Sequence, residues 1–355
     1  MNGKKWLVLG IFICACIGWG AIAGERGVFE PAQLRADFLK VIARPRVELA
    51  AKEWQAVADG DLVRVDFSYA ADGKQRVPGI LIEPRDSGAA RRAAVIVLHG
   101  TGGKKEGEVN FLKRLAGRGF VAVAIDGRYH GERAKQYGDY NAAIARAFRE
   151  GGEHPFYYDT VWDVMRLVDY LRSRADVDGN RIGLMGISKG GIETYLAAAV
   201  DTRIAAAVPC IGVESFGWAL EHNAWQPRIA TVQRGFDAAM KEAGVTRADA
   251  AFVKRFYDRV VPGIDSEFDG PSMMRLVAPR PMLVINGELD AKTPPESIRM
   301  CEEAARGAYE AAGAAEKFKL IVEPGVGHKV TPKSYDAAVA WFERWLKSEP
   351  ISRRG

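Results

Sequence analysis

GLMGISKGGIE, residues 183–193, decides how the rest of the chain is read. Ser188 stands between Gly186 and Gly190 in the spacing G-x-S-x-G. Before it, RIGLMGI (181–187) has the apolar character of a strand. After it, IETYLAAAV (192–200) continues as helix. A strand that passes straight into a helix forces the residues between them into a tight bend. Glycine is needed at 186 and 190 because a side chain there would strike the neighbouring strand or helix. The serine hydroxyl is left clear of the turn, at a helix N-terminus that favours developing negative charge.

The same alternation extends in both directions. LVRVDFSYA (62–70) and VPGILIEP (77–84) are extended runs joined by the turn signal Ala71-Asp72-Gly73. AAVIVLHG (93–100) and GFVAVAID (119–126) are apolar almost throughout, as expected of strands covered on both faces of a parallel sheet. Helical patterns fill 107–118 and 159–174, the second with Val161, Val164, Val168 and Leu171 on one face. IAAAVPCIG (204–212), RPMLVINGE (280–288) and FKLIVEP (318–324) add three strands, and a helix from Pro332 to Leu346 closes the pattern. Its start carries Thr331 as cap and proline at the first position. This predicts an α/β fold with a doubly wound, mainly parallel sheet.

Two segments lie outside that scheme. Residues 24–60 form an N-terminal segment, with 31–58 read as helix interrupted near Arg44-Pro45. Between the strands at 204–212 and 280–288 the chain is too long for a simple crossover. Residues 213–272 are expected to form a helical insertion within a main domain spanning 61–348, covering whatever binds at the sheet's carboxyl edge.

A serine nucleophile needs a base, and the base needs an orienting acid. Asp290 follows the strand at 280–288, and His328 follows the strand at 318–324, both at strand carboxyl ends where sites gather in open α/β sheets. Glu288 is the rival acid, two residues earlier. Upstream, the strand at 93–98 runs into His99-Gly100-Thr101-Gly102-Gly103, whose small residues let backbone amides approach a substrate oxygen. The expected oxyanion donors are the N–H groups of Lys189 and Thr101, with Gly102 as an alternative to Thr101. His99 is expected to brace that loop and His130 a second loop beside it, with His154 and His222 on the surface. The Lys189 side chain is expected either to be solvated or to face the pocket and favour anionic substrates.

Bulk properties narrow the possibilities further. Lys4 and Lys5 precede an apolar run from Trp6 to Ala23 that ends in Ala21-Ile22-Ala23, the layout of a secretory signal. Ile13-Cys14-Ala15-Cys16 loosely resembles a lipoprotein box, and the run is also long enough for an uncleaved anchor. All three readings export the domain, the last two with a membrane tether. Loss of residues 1–23 removes two lysines and no acid, lowering the net charge from +5 to +3. That is too mild, and the basic residues too scattered, for a nucleic-acid partner. Arg91-Arg92 and Lys104-Lys105 are expected as solvated loop charges. Outside the leader only Cys210 and Cys301 remain, with no spacing that suggests a disulfide framework or a metal. Neither a metal nor a cofactor is expected.

The motifs HGTGG (99–103), DGRYHGER (126–133), DVDGNRIGLMGISKGG (176–191), Asp290 and GVGH (325–328) stand in an order similar to that of serine hydrolases of the α/β-hydrolase superfamily. The resemblance is to the branch with dienelactone hydrolases, acetyl xylan esterases and prolyl oligopeptidase catalytic domains, and covers residues 60–348. It implies a Ser188, Asp290, His328 triad, an acyl-enzyme intermediate and hydrolysis of a carboxylic ester of a small molecule or carbohydrate. Lys189 is a departure, since many relatives carry Met, Gln, Leu or Tyr there. A serine peptidase is the alternative, and a non-catalytic binding protein on this fold is a third reading. Trp218 and Trp225 are expected either to stack on substrate or to pack the insertion.

Overall fold

The computed structural model describes residues 30–85 and 90–347. The expected leader lies outside the described residues. Among the described residues no helix is long and apolar enough to cross a membrane.

Ten strands among the described residues make one sheet. In chain order they are β1 (Lys52–Glu53), β2 (Val57–Asp59), β3 (Leu62–Ala70), β4 (Arg76–Pro84), β5 (Arg92–Leu98), β6 (Val121–Ile125), β7 (Val177–Ile187), β8 (Ile204–Cys210), β9 (Met282–Gly287) and β10 (Phe318–Glu323). Their spatial order is β1-β3-β4-β6-β5-β7-β8-β9-β10, with β2 also on β3. From β6 to β10 all neighbours are parallel, while β1 to β4 pair antiparallel and β4 meets β6 antiparallel. β5 is flanked by β6 on one side and β7 on the other. The connections leaving β5 and β6 therefore run in opposite directions, which opens a crevice at the strands' carboxyl ends.

Pleating explains why the central strands are apolar on both faces. Ala94, Ile96 and Leu98 of β5 join one core cluster, and Ala93, Val95 and Val97 join the other. The first layer contains α1 (Pro31–Ile42), and the second contains α2 (Val109–Ala116). α3 (Gly131–Tyr137), α4 (Tyr140–Glu150), α5 (Tyr158–Ser173) and α6 (Lys189–Val200) follow. Every residue of α6 is buried.

After β8 the chain forms α7 (Phe216–Glu221), α8 (Gln226–Ile229), α9 (Gln233–Glu242), α10 (Ala250–Val260) and α11 (Gly270–Met274). α9 and α10 pack on α4, and α11 packs on α6 and on α12 (Pro295–Ala311). α13 (Pro332–Phe342) follows β10, with the Thr331 hydroxyl accepting the Ser334 amide at 3.1 Å as its cap.

Three expectations need correction. The helix expected over 31–58 stops at Ile42, because Ala43 turns extended ahead of Arg44-Pro45, where proline disfavours helix at the preceding residue. The chain beyond it supplies β1 and β2 instead. Lys105 is not solvated: it is 2% exposed and ion-paired with Asp126, Glu106 and Glu132. Arg92 is not in a loop either, since it begins β5 and pairs with Glu83 and Asp176. In both cases some partners come from other segments of the chain: Asp126 and Glu132 for Lys105, Asp176 for Arg92.

Candidate active site

Ser188 ends β7 and precedes α6 with φ +56° and ψ −111°, a region that non-glycine residues rarely occupy. Such strain costs on the order of 1–3 kcal/mol and persists only where the surroundings impose it. Here the Ser188 amide donates to the Cys210 carbonyl at 2.9 Å, and its own carbonyl accepts the Ile192 amide at 3.1 Å. The glycines are sterically required. A Cβ on Gly186 would lie 2.1 Å from the Gly190 oxygen, and one on Gly190 would lie 2.4 Å from the Leu98 oxygen.

Asp290 and His328 meet Ser188 from the next two strands. The Asp290 Oδ2 is 2.7 Å from His328 Nδ1, and His328 Nε2 is 2.8 Å from Ser188 Oγ. These partners assign the proton to Nδ1 and leave Nε2 to accept from the serine hydroxyl. Gly287 makes the approach possible, since a Cβ there would lie 2.3 Å from the Val326 carbonyl oxygen. Burial raises the Asp290 pKa, but His328, the Lys292 amide and Thr293 outweigh it and hold the carboxyl below its ordinary value. Glu288 is exposed and points elsewhere, accepting the Gly325 amide at 2.8 Å.

The opposite wall is the loop after β5. His99 donates from Nδ1 to the Gly100 carbonyl at 2.7 Å and accepts the Gly127 amide on Nε2 at 3.0 Å. The Gly103 amide also donates to the Gly100 carbonyl, at 3.0 Å. Gly100 C=O and Thr101 N–H belong to one planar trans peptide and point in opposite directions. Fixing the carbonyl therefore aims the amide. Thr101 lines the same cavity as Ser188 and His328. Lys189 is the first residue of α6, where a helix has no internal acceptor for the amide.

His99 and His130 are both buried, with ring centroids 5.0 Å apart. Burial, then the nearby Lys189 charge, pushes His99 down to about 4 and His130 to about 2. Both are neutral and serve as fixed hydrogen-bonding groups near neutral pH. The two expectations for the Lys189 side chain are both overturned. It is 1% exposed, ion-paired with Glu193 one turn along α6, and lies 5.9 Å from the Tyr140 ring centroid. α6 has no exposed face, so an ammonium there needs a partner within the fold. Burial pushes Glu193 up to about 7 against the opposing pull of Lys189.

Comparison with known proteins follows the same lines. The acetyl xylan esterase (AXE1) family model matches residues 46–214, and the fungal glucuronyl esterase family model matches residues 148–313. Both cover 148–214, which carries Ser188. The fold is shared with an acetyl xylan esterase from Paenibacillus sp. R4, at TM-score 0.61 and 22% identity over 89% of this chain and 92% of that one. The chain is an α/β-hydrolase-type serine esterase. YtaP of Bacillus subtilis (strain 168) is 25% identical over 288 residues, covering 78% of this chain and 85% of its own. A 4-O-methyl-glucuronoyl methylesterase of Wolfiporia cocos is 24% identical over 193 residues, 53% of this chain and 46% of the relative.

The esterase has a cavity of about 430 Å³ at Ser188, with Thr101, Ile211, Tyr335 and Thr231 among its walls. Thr231 comes from the segment after β8, and sequence reasoning missed it. The tryptophans take the packing role. Trp225 is 7% exposed against Phe236, and Trp218 stacks on His222 with centroids 4.3 Å apart. His222 is exposed as expected, but His154 is half-buried. Also missed was Arg228, buried and paired with Glu214, which donates to the Lys292 carbonyl at 3.1 Å and so ties α8 to the loop behind Asp290. Nothing local in HNAWQPRIATVQR (222–234) singles out that arginine. Cys210 and Cys301 are free and buried, and burial raises both thiols.

Proposed function

We propose that Ser188 is the nucleophile of a carbohydrate carboxylic-ester hydrolase, with His328 as its base and Asp290 as the acid that orients the base. The observation that carries this is the pair of contacts linking Ser188 Oγ to His328 Nε2 and His328 Nδ1 to Asp290, on a turn whose backbone is held strained. His328 takes the hydroxyl proton as Oγ attacks the ester carbonyl carbon. The resulting oxyanion lies between the Thr101 and Lys189 amides, which are the proposed hole. Collapse expels the alcohol, which receives its proton from His328, and leaves an acyl-Ser188 ester. Water, deprotonated by the same nitrogen, repeats the attack and releases the acid.

The esterase family matches and the glucuronoyl methylesterase relative support a carbohydrate ester over a peptide bond. The leader pattern at residues 1–23 supports export of the enzyme. A panel of acetylated xylo-oligosaccharides, methyl glucuronate, simple aryl esters and prolyl amides tests the reading. Turnover of saccharide esters with inertness toward the amides is expected. Amide cleavage without ester turnover would overturn it.

A further inference from the structure

The cations near the cavity fall into two groups. Lys105 and Lys189 are buried against carboxylates, and Arg228 is spent on Glu214. Lys292 and Lys329 line the cavity at Ser188, and among the described residues neither ammonium has a carboxylate within 4.0 Å. Among the described residues no acidic one lines that cavity; its other walls are hydroxyl, apolar or backbone groups together with His328. An anion entering it meets two positive charges and no negative one.

Their places in the fold explain why both reach the reacting centre. Lys292 is two residues beyond Asp290 on the loop after β9, and Lys329 is next to His328 on the loop after β10. Lys292 is also anchored through its backbone, its amide donating to Asp290 Oδ1 at 2.9 Å and its carbonyl accepting from Arg228 at 3.1 Å. With the main chain fixed, the half-buried side chain searches a small volume. Lys329 is exposed at the rim.

We infer that Lys292 and Lys329 form an anion subsite that selects esters carrying a second, carboxylate-bearing group, such as esters of acidic saccharides. The inference rests on the reading of Ser188 as nucleophile. A concave wall focuses the field of like charges, and salt screens it with a Debye length of about 10 Å at 0.1 M. Preference for an anionic substrate should therefore depend on both lysines and on ionic strength. It needs positive charge rather than ammonium in particular, so arginine should serve.

The test compares 4-nitrophenyl hydrogen succinate with its neutral isostere 4-nitrophenyl levulinate on the full-length enzyme. The readout is the ratio of their kcat/KM values. In low salt the ratio is expected to fall about tenfold in K292A/K329A, to fall in wild type at 0.5 M NaCl, and to stay within about threefold of wild type in K292R/K329R. A double-alanine variant with the wild-type ratio, or a ratio that salt does not move, would overturn the subsite even if both rates drop. Turnover of neither ester above the rate of S188A would instead overturn the reading of Ser188.

Discussion

Lys189 and Glu193 form an ion pair inside α6, the helix that begins directly after Ser188, with both side chains 1% exposed. The helix is covered on every side, so this charge pair has no route to water. Removing one partner of a buried pair costs about 3–5 kcal/mol, because the other is left charged and alone. Replacing both by residues of similar size is far less damaging. K189M and E193Q should each lower the melting temperature sharply, and K189M/E193Q should recover most of the loss. A double variant as unstable as the sum of the singles would show that the two do not act as a pair.

In the proposed mechanism His99 acts only through the peptides it holds. H99A removes one of the two donors on the Gly100 carbonyl, leaving the Gly103 amide alone to hold it, and so loosens the Thr101 amide at the proposed oxyanion hole. Loss of one such donor costs about 10²–10³ in kcat. Steady-state kinetics on an aryl ester should show kcat falling by about that factor with KM changed less than threefold. The acid limb of the pH–rate profile should not move, because His99 is neutral across it. A shifted limb would mean that His99 exchanges a proton during turnover.

Two carboxylates compete for the orienting role, and their positions separate them. D290N should lower kcat by about 10³–10⁴, since an amide in place of the carboxylate no longer fixes the His328 tautomer. E288Q should stay within about threefold of wild type, because Glu288 only accepts an amide from Gly325. The Asp290 carboxyl is held below its unfolded value, so its contribution to stability is present above that value and lost as pH falls through the folded one. The melting temperatures of D290N and wild type should therefore converge at low pH. Equal kcat losses in the two variants would refute the assignment.

Glu108 is 8% exposed, and burial alone pushes its pKa up to about 7. A raised carboxyl contributes stability that is fully present below its unfolded value and is lost as pH rises toward 7. Beyond that the deficit is constant, on the order of 3 kcal/mol. E108Q removes the ionisation. Thermal scans should therefore show E108Q gaining on wild type as pH rises from 5 to 8. A pH-independent difference would place Glu108 in contact with a compensating charge.

Much of this was legible in the chain because it is written locally. Apolar runs such as AVIVL and VAVAI mark strands covered on both faces, and G-x-S-x-G between strand and helix marks a turn that only glycine permits. Asp290 and His328 were legible because strand carboxyl ends converge in a parallel sheet. What failed depended on partners distant in sequence. Lys105 reads as a surface charge until Asp126 and Glu132 arrive beside it, and Arg92 until Asp176 does. Lys189 failed for another reason. Its partner is only four residues away, but nothing local says that α6 is covered on every side. The helix beyond Ile42 failed because the chain at 52–59 finds hydrogen bonds on β3, which no local propensity encodes.

The most direct measurement is covalent. Incubation with a fluorophosphonate, followed by intact-mass and peptide mass spectrometry, should show one adduct per chain, located on Ser188, with loss of ester turnover in proportion. S188A, folded by circular dichroism, should take up none. Labelling at another residue, or full ester turnover by S188A, would contradict the account.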